Sequence, residues 1–144
     1  MPERDLVAGV VQLANLLTRK LAPVFERAGV TPQQWAVLSV IGESAAPMSL
    51  AGVARVMLVS KQNMTGMIAR LEQLGLTERG GDPNDLRSSR VQLTRRGRSV
   101  VEKLLPAYEQ WLESIGRGEL SHRDLQSLAR SVNRLIDAIE ADED

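Results

Sequence analysis

Two serines, Ser49 and Ser60, place the tightest constraint on what this chain can fold into. Each stands directly before a stretch of helical apolar spacing, where its hydroxyl can cap the first free amides of a helix. The first stretch, Leu50 to about Met57, is only two turns long and offers Leu50, Val53 and Val56 or Met57 for burial. After a brief Leu-Val link, the second runs from Lys61 to Leu74 and stops at Gly75. Two helices joined so closely form a helix-turn-helix pattern. Leu76 to Arg79 and Arg90 to Thr94 then read as short strands. Between them, Gly80 to Ser89 opens with Gly-Gly-Asp-Pro, the chemistry of a turn, so this segment is a hairpin tip. A helix-turn-helix followed at once by a hairpin is a winged helix.

Helices flank this centre. Asp5 to Arg27 carries Leu6, Val10, Leu13, Leu17, Leu21 and Val24 at spacings of three and four; Pro23 should kink or break it near its end, and Gly29 closes it. Thr31-Pro32-Gln33-Gln34 has the form of a capping box and starts a helix through Trp35, Leu38 and Ile41, which Gly42 ends. Glu43 to Met48 reads as a loop. Thr94 caps a long helix from Arg95 to about Ile115, interrupted near Pro106. Gly116 and Gly118 mark a break. Ser121 and Asp124 start a last helix that offers Leu125, Leu128, Val132, Leu135, Ile136 and Ile139 for burial. The fold expected is mainly α: a winged helix-turn-helix with a small β-hairpin wing, plus N- and C-terminal helices forming a dimerisation region. In this reading 1–144 is a single domain. Residues 30–98 are the DNA-binding lobe, and 1–29 with 99–144 are the helical dimerisation region.

Composition narrows the chemistry. A chain of 144 residues is one domain's worth, and no apolar run reaches the length of a membrane span. Charge stands in MPERDLVAGV where a signal peptide would be apolar, so a cytoplasmic location is expected, with no membrane partner. There is no cysteine, which excludes disulfides and thiol redox sensing, and a single histidine, His122, which argues against structural zinc. No cofactor or metal is expected. With no phosphate-cradling glycine loop and no paired acids in a plausible cleft, the chain does not read as an enzyme.

Net charge is zero, but unevenly spread. Residues 55–98 hold nine basic side chains against four acids; residues 99–144 hold five against ten. A basic middle on a neutral chain suits an anionic partner that meets one region only, although ordinary charge scatter gives the same count.

The Lys61–Leu74 helix divides by face. Met64, Met67, Ile68, Leu71 and Leu74 fall together, while Gln62, Thr65, Gly66, Ala69 and Gln73 lie opposite, flanked by Lys61, Asn63 and Arg70. Amides can bond an adenine edge, a threonine can meet a base or a thymine methyl, and small residues let a helix sit deep in the major groove. Ser60, Lys61, Gln62, Asn63, Thr65, Gly66, Ala69 and Arg70 are therefore the candidate DNA-binding residues of this helix. A helix-interior glycine costs about 1 kcal/mol relative to alanine, so Gly66 is explained either by close approach to DNA or by drift. On the hairpin, Arg87 with Ser88 and Arg90 behind it can address a minor groove, where negative potential concentrates. Asp85 would repel phosphate; it either pairs with Arg87 or another arginine nearby and aims it, or decorates a solvated turn.

At this point DPNDLRSSRVQLTRRGR resembles the wing signature of the MarR (multiple-antibiotic-resistance regulator) family: Asp-Pro, Asp-x-Arg, a strand ending Leu-Thr, and a basic helix start with glycine. SLAGVARVMLVSKQNMTGMIARLEQLGLTER is similar to the family's helix-turn-helix through Leu71, Gly75, Leu76 and Arg79. The chain departs at Leu86, where the family often has a second arginine, leaving one fewer cation at the tip. The resemblance implies a homodimeric transcription regulator, often a repressor, that binds double-stranded palindromic operator DNA. It implies Asp85 and Arg87 as the wing pair and Ser60 to Arg70 as the recognition region. It also implies a small aromatic or anionic ligand, for which Trp35, Tyr108 and Trp111 are candidates, each of which also reads as packing. A second function class is a winged-helix protein-interaction module with no DNA target of its own. The apolar terminal helices independently suggest a second copy, since a winged helix alone would not cover them.

Overall fold

The computed structural model describes residues 1–80 and 89–143. In chain order these form α1 (Pro2–Glu26), α2 (Pro32–Glu43), α3 (Leu50–Met57), α4 (Lys61–Gln73), β1 (Thr77–Gly80), β2 (Arg90–Leu93), α5 (Arg95–Ser114) and α6 (His122–Glu143). This is the expected mainly helical winged helix-turn-helix. Packing divides the chain into two compact units, residues 1–107 and 108–144.

The first unit holds the core. The stretch around α2 supplies Trp35, Val37, Leu38 and Ile41, all buried; Phe25 from α1 stacks on Trp35 with ring centroids 5.2 Å apart. α3 adds Val53 and Ala54, α4 adds Met64, Ile68 and Leu71, and Leu76, Val91 and Leu93 close it from the wing side. Burial of this size is the main stabilising term, roughly 1.5–3 kcal/mol for each fully covered aliphatic or aromatic side chain.

Helix starts follow their caps. Thr31 and Gln34 form a reciprocal box, Gln34 N–H donating to Thr31 Oγ1 at 3.1 Å and Thr31 N–H to Gln34 Oε1 at 2.9 Å. Ser49 Oγ accepts from Gly52 N–H and Ser60 Oγ from Asn63 N–H, both at 3.0 Å. The turn between α3 and α4 closes on Leu58, held at φ 57°, a left-handed backbone on a non-glycine residue.

The wing is a two-stranded antiparallel ladder with Thr77 opposite Leu93 and Arg79 opposite Val91. Met48 adds a rung on the far edge of β2, exchanging both backbone hydrogen bonds with Val91 at 3.1 and 2.7 Å. The segment expected to be a plain loop therefore ends by pairing with the wing.

Four expectations are corrected. α1 runs through Pro23 to Glu26, and α5 runs unbroken through Pro106. Each proline, and the residue four before it (Arg19, Glu102), is exposed, so water can take the carbonyl bond the proline forfeits. Gly42 lies inside α2 instead of ending it; a Cβ there would come within 3.0 Å of Leu93 Cδ1, so its role is close approach to β2. Of the alternatives Val56 and Met57 on α3, Met57 is the half-buried one and Val56 is 58% exposed, with Ala54 buried beside Val53, a refinement of the expected face. No residue of α6 is buried within the chain, and its apolar stripe, Leu128 at 50% and Ile139 at 54% among it, faces outward.

Among the described residues, no helix is long and apolar enough to cross a membrane.

Candidate nucleic-acid interface

α4 is the element on which the interface is built. Its apolar side anchors it: Met64, Ile68 and Leu71 are fully buried and Met67 half-buried. Its other side is open. Lys61, Gln62, Asn63, Thr65, Gly66, Ala69, Arg70 and Gln73 are all exposed, as is Ser60 at the cap. The 3.6-residue period produces this split, and burial of the methionine side fixes which residues point out.

The exposed side has specific chemistry. Lys61 stands at the helix N-terminus, where the backbone amides and the macrodipole already favour an anion. Thr65 donates its hydroxyl to Lys61 O at 2.9 Å, which leaves its oxygen lone pairs as acceptors and its methyl as an apolar contact. Gly66 meets nothing: a Cβ built there finds no atom within 4 Å. Among the described residues, no neighbour accounts for the glycine. Arg70 Nη1 reaches Gln73 Oε1 at 3.4 Å, a long contact that leaves most of its donors open.

Below α4 sits a corner that joins it to the wing and to α5. Gly75, at φ +75°, makes the turn, and Leu76 N–H returns to Leu71 O at 3.0 Å. Thr94 ties the corner to α5. Its hydroxyl donates to Gly75 O at 2.7 Å and accepts from Gly97 N–H at 3.0 Å, while its N–H donates to Leu76 O at 3.1 Å. Gly97 is buried against the same carbonyl; a Cβ there would lie 2.0 Å from Leu76 O. On the outside, Arg79 Nε donates to Glu72 Oε1 at 2.6 Å, a short charge-assisted bond between β1 and α4. Gln92 Nε2 donates to Glu78 Oε1 at 3.0 Å across the ladder.

Of the wing residues named from sequence, Arg90 begins β2 and is exposed; Arg95, Arg96 and Arg98 in the first turn of α5 are exposed too. Asp85, Arg87 and Ser88 lie outside the described residues. The aromatic candidates fall in different compact units. Trp35 is a core residue of the first unit, whereas Tyr108 and Trp111 sit half-buried on the part of α5 in the second.

Sequence reasoning missed a hollow of about 390 Å³ beside the end of α1 and the first turns of α5. Arg27, Arg96 and Lys103 line it with Ser99, over a floor that includes Val100 and Leu104. Its residues come from two distant stretches, so no local spacing announced it. It also missed the Glu72–Arg79 pair, whose members lie on a helix and a strand either side of a turn, so the period of neither element announces it.

The comparisons with known proteins agree with this architecture. A model described as MarR family matches residues 28–88. The transcriptional activatory protein BadR of Rhodopseudomonas palustris is 41% identical over 95 residues, covering 65% of this chain and 54% of BadR, about half that relative's length. The homoprotocatechuate degradative operon repressor of Escherichia coli is 23% identical over 132 residues, 92% of this chain and 88% of that protein. A cysteine-to-serine mutant of E. coli MarR, solved in complex with operator DNA, superposes with a TM-score of 0.79 at 25% identity, over 92% of this chain and 95% of that one. Sequence, fold and the build of α4 agree, and the chain belongs to the MarR family of transcriptional regulators.

Proposed function

We propose that this chain is a homodimeric, sequence-specific DNA-binding regulator that lays α4 in the major groove of a palindromic operator. The observation that carries the reading is the split of α4, with methionine, isoleucine and leucine inward and an amide, hydroxyl and small-residue face outward. Ser60, Lys61, Gln62, Asn63, Thr65, Gly66, Ala69 and Arg70 are the residues assigned to DNA there, with Arg90 on the wing and Arg87, Ser88 and Asp85 at its tip. The outward apolar stripes of α1 and α6 support the dimer, since water-facing apolar stripes of this length are normally covered. Two copies would place their recognition helices about one helical turn of DNA apart, roughly 34–36 Å. Residues 30–98 are then the DNA lobe, and 1–29 with 99–144 the dimerisation region.

The regulator acts as a repressor, in line with the name of the E. coli relative; BadR, named an activator, is the counter-example that makes transcription in vitro the necessary assay. Release is by a small anionic ligand. The hollow beside Arg27, Arg96 and Lys103 supports an anionic ligand: three cations converge there and, among the described residues, none has an ion-pair partner. The test is a gel shift of the full chain on duplex DNA flanking its own coding sequence, with rising salt and then with phenolic acids. Binding should fall steeply with salt as phosphate counterions are exchanged. An intact protein that binds none of this DNA at low salt would favour an interaction module instead.

A further inference from the structure

Glu72 is the one acid on α4, the element that faces DNA in the reading above, on which this inference rests. A carboxylate within about 10 Å of phosphates opposes binding at ordinary salt. Stability does not explain it, because a partly exposed ion pair contributes only about 0–1 kcal/mol. Its geometry supplies another reason. Glu72 sits at the C-terminal end of α4 and takes Arg79 Nε at 2.6 Å. Arg79 is the third residue of β1, and its backbone partner across the ladder is the fully buried Val91. Gly75 and Leu76 lie between the two and already return backbone bonds to α4, Gly75 N–H to Glu72 O at 2.9 Å and Leu76 N–H to Leu71 O at 3.0 Å. The side-chain pair closes the same corner from outside. Thr94 and the buried Leu76 hold the corner from inside; the side-chain pair adds a tether on the outer face, two residues into β1, and stiffens the strand against α4.

We propose that Glu72 and Arg79 are positioning residues that hold the wing at a fixed angle to the recognition helix, so that both meet one duplex together. Arg79 is then spent on Glu72 and is not one of the cations that meet phosphate.

The sign of one substitution decides the matter. By fluorescence anisotropy with the upstream duplex, Glu72→Gln in the full chain should weaken binding by about three- to fivefold, the range an exposed pair can carry. Mere removal of an acid near DNA predicts tighter binding. Arg79→Gln should weaken binding to a similar degree with the slope of log affinity against log salt unchanged. The double reversal Glu72→Arg with Arg79→Glu should return to within about twofold of the parent. A parent that binds while Glu72→Gln binds equally well or better overturns the pair alone, and so does a salt slope lower by about 0.9 in Arg79→Gln, the mark of a lost phosphate contact. A reversal no better than the weaker single reversal also overturns it. A parent that binds no duplex removes the DNA reading and this inference with it.

Discussion

Two glycines show opposite uses of a missing side chain. Gly97 is packed so closely on Leu76 O that a methyl group would sit 2.0 Å from it. Gly97→Ala should therefore force the first turn of α5 off the corner and lower stability by at least the 1–3 kcal/mol typical of overpacking, read as a shift in denaturant midpoint. Gly66 has open space around it. Gly66→Ala should raise stability by about 1 kcal/mol, the ordinary helix-propensity gain, while lowering affinity for operator DNA. A variant that is stabilised yet binds as well as the parent would return Gly66 to drift. The amino-acid sequence pointed to Gly66 because a glycine in mid-helix contradicts local propensity. Gly97 stood only as part of a resemblance, since the carbonyl it must avoid belongs to a residue on another element. Trp35, open in the sequence between ligand contact and packing, is buried and stacks on Phe25. An aromatic at helical spacing has the same pattern in either role, so spacing alone does not separate them.

At the level of elements, capping chemistry made the helix starts legible: Thr31, Ser49, Ser60, Thr94 and Ser121 all stand where their hydroxyls suggested. Helix interiors were less legible. Pro23, Gly42 and Pro106 are breakers by local rule, yet neighbouring packing or water compensates each of them. The start of α6 gives a pH prediction. Asp124 accepts a hydrogen bond from Ser121 N–H at 2.9 Å, and Ser121 Oγ caps Asp124 N–H at 3.0 Å. The backbone bond from Ser121, then the bond from its side chain, hold the Asp124 carboxyl below the usual aspartate value. A depressed folded-state value means that the stabilisation is present above the unfolded pKa and is lost as pH falls through the folded one. Acidification below the ordinary aspartate range should thus fray the first turn of α6, seen as faster exchange of the Ser121 amide, and Asp124→Asn should remove that pH dependence.

For the whole molecule, the strongest expectation from sequence was a second copy. The outward stripes bear on it: Val7 is 61% exposed on α1, and Leu128 and Ile139 face out on α6. Leu128→Glu with Ile139→Glu should yield a monomer by light scattering and weaken operator binding by more than tenfold, since each half-site would then be held alone, while the core of the first unit keeps its melting transition. A dimer that persists would move the interface elsewhere. The tip of the wing, with Asp85 and Arg87, lies outside the described residues, so its pairing rests on the residue pattern alone. What the chain does show there is how the wing is rooted. One residue, Thr94, serves three elements at once: its N–H closes the end of the strand pair on Leu76 O, and its hydroxyl serves the carbonyl behind the recognition helix and the first amide turn of α5. In heavy water, the Leu76, Thr94 and Gly97 amides should therefore take up deuterium as a block at one common rate: the wing cannot let go of the helix before it without unwinding the helix after it.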